Sequence, residues 1–242
     1  MEGSTILSWN ANSLVSHHDQ LKKFLVDIDI LPSFICVQET RLSESLSFAL
    51  QGYNIERKDR NCQGGGVAIC VKNDIVYKVV PSKYDLEVLL IEVFVQNRSF
   101  MLVNVYFPPA NVVVPEYRNF LSDICRQYSS VILCGDFNAH GHLWGSENTD
   151  RRGDMLIDVI EDFDLVCLNT GEPTYLHFNG TMSILDLSIT SANLATFAKW
   201  EVLEETLGSD NFVTSIELSF SPVCFSDETP RWNLKKADWS RF

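Results

Sequence analysis

The chain has 242 residues, of which 45% are hydrophobic and 21% charged, and its net charge is −13. That length suits one large α/β or β-sandwich unit with a sizeable core, and the composition excludes global disorder. No run of about 18 apolar residues occurs, so no membrane span is expected, and the sign of the charge by itself opposes phosphate-backbone binding, which draws on Lys and Arg.

The N-terminal MEGSTILSWN has no basic region ahead of an apolar stretch, so no secretory signal is expected there. Short runs rich in Val, Ile and Phe predict strands at residues 6–9, 34–37, 67–71, 88–95, 99–106, 131–134, 184–189 and 212–220. Between them, helical periodicity predicts helices at 19–28, 116–128 and 154–163. Residues 64–106 carry strand signals with hardly any helix, which is not a regular βαβ repeat. The expected fold is α/β, with two mixed β-sheets packed face to face and helices outside. From about Ser221 the chain turns polar, with Pro and a basic cluster, so residues 1–221 are expected to form the domain and 222–242 a tail or linker. Seven cysteines are scattered without a CxxC and predict buried, reduced thiols rather than a zinc site.

The sharpest local signal is Gly135-Asp136-Phe137-Asn138-Ala139-His140, placed directly after the apolar run ending in Cys134. Strand ends are where α/β proteins display reacting groups. Other apolar runs end alike, in Asn10, Gln38-Glu39, Tyr106, Asp186 and Asp210-Asn211. Each alone reads as a cap or turn residue. Together they predict one oxygen-rich site, which suits Mg²⁺ or Mn²⁺, a hard ion held by few protein carboxylates and several waters. Such an ion reverses the local field, so the acidic net charge leaves DNA open as a substrate.

Trp9-Asn10, Val37-Gln38-Glu39-Thr40, Asn104-Val105-Tyr106-Phe107-Pro108-Pro109, Gly135-Asp136-Phe137-Asn138, Leu185-Asp186 and Ser209-Asp210 stand in the order of the endonuclease/exonuclease/phosphatase superfamily. The set resembles that superfamily over about residues 5–220. Asn138-Ala139-His140, Leu143-Trp144-Gly145-Ser146, Arg152-Gly153 and the stretch Trp232-Asn233-Leu234-Lys235-Lys236-Ala237-Asp238-Trp239 resemble the apurinic-type endonuclease domains of jockey-like non-LTR (LINE-type) retrotransposons.

The resemblance implies a DNase I-like, four-layered α/β sandwich. It implies a Mg²⁺-dependent (or Mn²⁺-dependent) endonuclease that nicks double-stranded DNA and leaves a 3′-OH for target-primed reverse transcription. A reverse transcriptase domain of the same polyprotein would be its partner, and the nucleus its place of action. Glu39 would be the main metal ligand, with Asn10 and Asp210. Tyr106 and Asn138 would touch the scissile phosphate, Asp136 would handle a proton, and Asp186 would orient the base. The family's base, a His after Ser-Asp, is Asn211 here. An amide cannot accept that proton. Three accounts of Asn211 stand open: an engineered replacement, a natural one in a decayed or repurposed copy, or a site where Asp136 carries enough of the proton work. His140 and His142 lie near Asp136 in sequence, but His140 accompanies this motif where the usual base is present.

Candidate DNA contacts are Lys58 and Arg60 ahead of a Gly-rich turn, Arg151 and Arg152 after the GDFNAH loop, and His177, Asn179 and Thr181 in a turn marked by Asn179-Gly180. By resemblance, that hairpin helps choose the target. Solvated surface charge is the plain alternative for the cations, and a buried Trp the plain alternative to base stacking by Trp144. Two other functions remain open on sequence alone: a DNA-binding module that no longer cuts, and a phosphatase or phospholipase of the same superfamily.

Overall fold

The computed structural model describes residues 3–60, 64–96, 98–109 and 114–225. Fourteen strands occur in chain order among these: β1 Ser4–Asn10, β2 Phe34–Gln38, β3 Tyr53–Lys58, β4 Val67–Lys72, β5 Tyr77–Val80, β6 Val88–Val95, β7 Arg98–Tyr106, β8 Val131–Asp136, β9 Leu165–Cys167, β10 Tyr175–Leu176, β11 Met182–Ser183, β12 Asp186–Ser191, β13 Ala198–Val202 and β14 Thr214–Leu218. Four helices accompany them: α1 Leu14–Asp27 after β1, α2 Val114–Gln127 before β8, α3 Arg151–Asp162 after β8, and the single turn α4 Ala192–Ala195. No helix among the described residues is long and apolar enough to cross a membrane.

The strands form two six-stranded sheets, ordered β13-β14-β1-β2-β4-β3 and β5-β6-β7-β8-β12-β9, with β10 and β11 as a separate hairpin. Each sheet has one parallel pair, β1 with β2 and β7 with β8, among antiparallel neighbours. Parallel pairing requires a crossover, and α1 and α2 supply it. Three apolar clusters result. One fills the space between the sheets (Ile6, Phe34, Leu102, Ile132, Ile216). Another lies under α1 (Leu7, Trp9, Leu21, Ile35), and a third under α2 and α3 (Val103, Phe120, Leu133, Leu156). Three cores separate four layers, as expected.

Period-two alternation decides which side chains enter the space between the sheets. On that inward face β1 reads Ile6-Ser8-Asn10, β2 Phe34-Cys36-Gln38, β7 Leu102-Asn104-Tyr106 and β8 Ile132-Cys134-Asp136. Every strand is apolar at one end of the inter-sheet space and polar at the other, yet all these residues are buried. The polar ends are paired: Gln38 Nε2 donates to Asn104 Oδ1 at 2.7 Å, and Asn104 Nδ2 donates to Val37 O and Ala68 O. Gly135 brings β7 and β8 together at this end. Its φ is 137°, and a Cβ there would lie 2.0 Å from Val105 O.

Several expectations shift. α1 begins at Leu14, five residues before the expected start at 19, because Ser13 caps it by accepting from Ser16 N–H. α3 begins at Arg151 because Asp150 accepts from the N–H groups of Arg152 and Gly153. β8 runs two residues further, through Asp136, and β12 starts at Asp186 rather than 184. Pairing decides both limits: Asp186 is opposite Asp136 in the antiparallel ladder. β3, β5, β9 and β13 had no sequence signal strong enough to predict, whereas the hairpin expected around Asn179-Gly180 is β10 with β11. The fold also passes the expected boundary at 221: Val223 N–H donates to Phe94 O and Phe225 N–H to Asp74 O. The rest of the expected tail lies outside the described residues. Cys36, Cys70 and Cys134 are buried free thiols as expected, but Cys224 is exposed; Cys62 lies outside the described residues.

Candidate active site

At the polar end of the inter-sheet space lies a cleft of about 730 Å³, lined by Asn10, Glu39, Asp136, Asn138, Asp210 and Asn211 among others. Asn10, 2% exposed, is its hub: its Nδ2 donates to Asp136 Oδ2 at 2.8 Å and to Glu39 Oε1 at 3.1 Å. Asp136 also accepts from the backbone N–H and Nδ2 of Asn138. Burial, and then the Glu39 charge, raise the pKa of Tyr106, so the phenol keeps its proton. Asn211 Nδ2 donates to Asp186 Oδ2 at 2.9 Å. Thr174 Oγ1 accepts from the backbone N–H groups of Leu185 and Asp186 and helps fix that carboxylate. Asp210 accepts from Ser209 Oγ and Asn12 Nδ2, and Ser209 Oγ also donates to Asn10 O. The predicted strand-end residues therefore meet in one network.

Backbone strain gathers at the same place. Asn12, Glu39, Arg41 and Asn138 have φ of 43°, 47°, 51° and 45°. Left-handed conformations are costly for residues with a Cβ and concentrate at functional sites.

The electrostatics separate the carboxylates. Asp136 is pushed well above the ordinary carboxylate range, by burial first and then by the charge of Asp186. Burial raises Asp186 to about 7, against the opposing hydrogen bonds from Asn211 and Thr174. Asp186 Oδ1 has no hydrogen-bond partner. A raised carboxylate pKa means that the folded state holds its proton more tightly than the unfolded chain. The stability this gives is complete below the unfolded pKa, near 4, and is lost as pH rises through about 7. Urea midpoints in chelating buffer are therefore expected to fall between pH 5 and 8, and Asp186→Asn is expected to flatten the fall. A parent profile already flat over that range would show that Asp186 ionises normally.

The oxygen-rich donor set fits a hard divalent cation. Among the described residues no group of three His, Cys, Asp or Glu converges closely enough to cage a metal. Glu39 with Asp210 nearby matches instead a Mg²⁺ held by one or two carboxylates and waters. Asn10 shows its nitrogen to the carboxylates, while its Oδ1 accepts from Asn12 N–H. Service as an oxygen ligand would require its amide to turn over.

The expected DNA contacts divide. Arg151 is exposed on the cleft rim. Lys58 instead donates to Leu86 O at 2.6 Å, and Arg60 pairs with Glu87 and lies over the Tyr106 ring. Arg152 is directed inward onto backbone carbonyls. Neighbouring acceptors, invisible in sequence, engage all three within the chain. The hairpin is present. His177 lines the cleft and bonds Ser183 Oγ, while Asn179 accepts from Thr181 at the tip, beside the fully exposed Phe178. Trp144 is buried, with its Nε1–H donating to Ala139 O. Cleft residues that the sequence did not single out are Asn12, Arg41, Asp150 and Tyr175. Arg41 bonds Glu39 and Asn12, and burial, then the Asp210 charge, raise the pKa of Tyr175. For Arg41, two residues past Glu39, proximity was the available signal.

A family model described as "Endonuclease-reverse transcriptase" matches residues 100–214. The RNA-directed DNA polymerase from mobile element jockey of Drosophila melanogaster is 28% identical over 223 residues, which is 89% of this chain and 24% of that protein. The probable RNA-directed DNA polymerase from transposon X-element of the same fly is 25% identical, over 91% of this chain and 24% of its own length. The endonuclease domain of TRAS1, a telomere-specific non-LTR retrotransposon, superposes with a TM-score of 0.75 at 19% identity, covering 90% of this chain and 99% of that one.

The chain is therefore similar in sequence to RNA-directed DNA polymerases of mobile elements and shares its fold with the endonuclease domain of a non-LTR retrotransposon. The chain spans about a quarter of the length of the curated relatives it matches. The AP endonuclease LMAP from Leishmania major shares the fold, with a TM-score of 0.75 at 16% identity over 90% of this chain and 88% of that one.

Proposed function

We propose that this domain is a Mg²⁺-dependent (or Mn²⁺-dependent) endonuclease that nicks double-stranded DNA and leaves a 3′-OH for a reverse transcriptase of the same polyprotein, acting in the nucleus. The observation that carries this reading is the meeting of Asn10, Glu39, Asp136, Asn138, Asp186, Asp210 and Asn211 in one network at the cleft, with Tyr106 opposite Asp136 in the β7–β8 ladder.

In the proposed reaction the oxygen of water bonds to phosphorus, the P–O3′ bond breaks, and O3′ takes up a proton. Glu39, with Asp210 and Asn10, would hold the cation, which when bound neutralises charge gathering on the phosphate and the leaving oxygen. Tyr106 and Asn138 offer a hydroxyl and an amide as donors to the phosphate oxygens. Asn138 is set in advance by its bonds to Asp136, and Tyr106 by its place opposite Asp136 in the ladder, so little reorganisation is required. Asp136 keeps a proton to higher pH than an ordinary Asp and is placed to exchange it with O3′ or the attacking water.

The test is conversion of supercoiled plasmid to open circle with Mg²⁺ and with chelator, followed by polymerase extension at the nick. Extension without prior phosphatase treatment marks a 3′-OH. Phosphate release from inositol phosphates without nicking would place the domain among the superfamily's phosphatases instead. The hairpin gives a second readout. Replacing residues 177–182 is expected to shift the preferred nick positions, and an unchanged cleavage map would remove the hairpin from target choice.

Asn211 specifically favours a second reading, a DNA-binding module that no longer cuts. A gel shift by the parent chain, with no nicking by either it or Asn211→His, would support that reading.

A further inference from the structure

Arg152 is the first residue after the start of α3, and its guanidinium meets four backbone carbonyls. One terminal nitrogen donates to Phe107 O at 3.3 Å and Asn138 O at 3.1 Å. The other donates to Pro108 O at 2.8 Å and Pro109 O at 2.7 Å. The same group lies over the Phe107 ring, 4.2 Å from its centroid.

We infer that Arg152 is a positioning residue that sets the separation of the two loops offering Tyr106 and Asn138 to the phosphate; this rests on the endonuclease reading above. The physical reason begins with Phe107-Pro108-Pro109. Two of these three residues have no N–H, so the run cannot join a ladder and leaves carbonyls in need of donors. Phe107 itself spends its N–H on Asp136 O at 2.8 Å. A planar fork of N–H groups reaches several carbonyls at once, whereas a Lys ammonium has three donors on a flexible stem. The neighbouring glycine makes the approach possible: a Cβ on Gly153 would stand 1.8 Å from His140 O. With Gly there, α3 seats directly against the loop that follows Asp136. Arg152 then joins that loop to the one following Tyr106. A shift of about 1 Å in such a pair is enough to cost about 100-fold in rate.

The full chain and its Asn211→His form, each with and without Arg152→Lys, provide the test, beside Val159→Ala as a destabilised control in the buried face of α3. Arg152→Lys is expected to speed amide hydrogen exchange at Phe107 and Asn138 and to lower nicking kcat at least ten-fold. The KM for DNA should move less than about three-fold. The slope of log Kd against log salt for a labelled duplex should stay unchanged. Val159→Ala, at a similar loss of Tm, should keep both exchange at these amides and kcat. The inference is overturned if the salt slope falls by about one, the mark of a lost phosphate contact, or if Val159→Ala loosens the same amides and slows nicking equally. If no form nicks, the endonuclease reading fails, and the exchange comparison still decides whether Arg152 holds the loops.

Discussion

Asn211→His is expected to raise the nicking rate of this domain by about 10²–10⁴-fold, the usual contribution of a positioned general base. Asn211 is 1% exposed, lines the cleft, and donates its Nδ2 to Asp186 Oδ2. Its amide reproduces one half of what an imidazole does there, the N–H directed at a carboxylate. It lacks the other half, a nitrogen that accepts a proton near neutral pH. The surroundings for a base are intact. Asp186 is opposite Asp136 in the ladder, Thr174 fixes it from behind, and Tyr175 pairs with Asn211 across a β-bridge. The gain should be greatest above pH 7, where the new imidazole is largely unprotonated. The check is single-turnover nicking at saturating Mg²⁺, with the melting temperature followed in parallel. Equal rates for the parent chain and Asn211→His would assign the proton transfer to Asp136 instead.

Glu39→Gln is expected to reduce nicking more than about 100-fold in either background, because loss of a group that only supports a metal ligand already costs 10–100-fold. Glu39 follows β2 with φ of 47°, accepts from Asn10 and Arg41, and adds its charge to the crowding that raises Asp136. Its substitution should therefore weaken Mg²⁺ binding without weakening the fold. In chelating buffer Glu39→Gln is expected to melt no lower than the parent, and the stabilisation that Mg²⁺ gives the parent should shrink. Calorimetric titration with Mg²⁺ alone checks the first point and thermal melts the second. Unchanged Mg²⁺ affinity in the variant would remove Glu39 as the principal ligand.

Much of the site was legible because its residues stand at the ends of strands that announce themselves by composition. An apolar run rich in Val, Ile and Phe, followed at once by Asn10, Glu39, Asp136 or Asp186, is a local pattern, and period-two alternation states which residues share its face. The weak strands were not legible for the complementary reason. β3, β5 and β13 are edge or near-edge strands with exposed or half-exposed side chains, so no apolar alternation marks them. Their pairing partners, distant in sequence, make them strands.

Charges were the least readable. Lys58, Arg60 and Arg152 looked like three cations offered to phosphate, with Arg151 as a fourth. Each of the first three is instead held by acceptors that another segment delivers: Leu86 O, Glu87, and the carbonyls of residues 107–109 and 138. What a long basic side chain does depends on which acceptors lie within several ångströms of its tip, and nearness along the chain says little about that. The sequence by itself determined the alternating strands, the polar residues at their ends and the substitution at position 211, because these are properties of residue identity and spacing. Only the tertiary structure decided that Asn10 joins Glu39 to Asp136, that Asp136 and Asp186 share a buried pair, and that Arg152 holds backbone. Those depend on register between strands, on burial and on the packing of α3, which no local pattern contains.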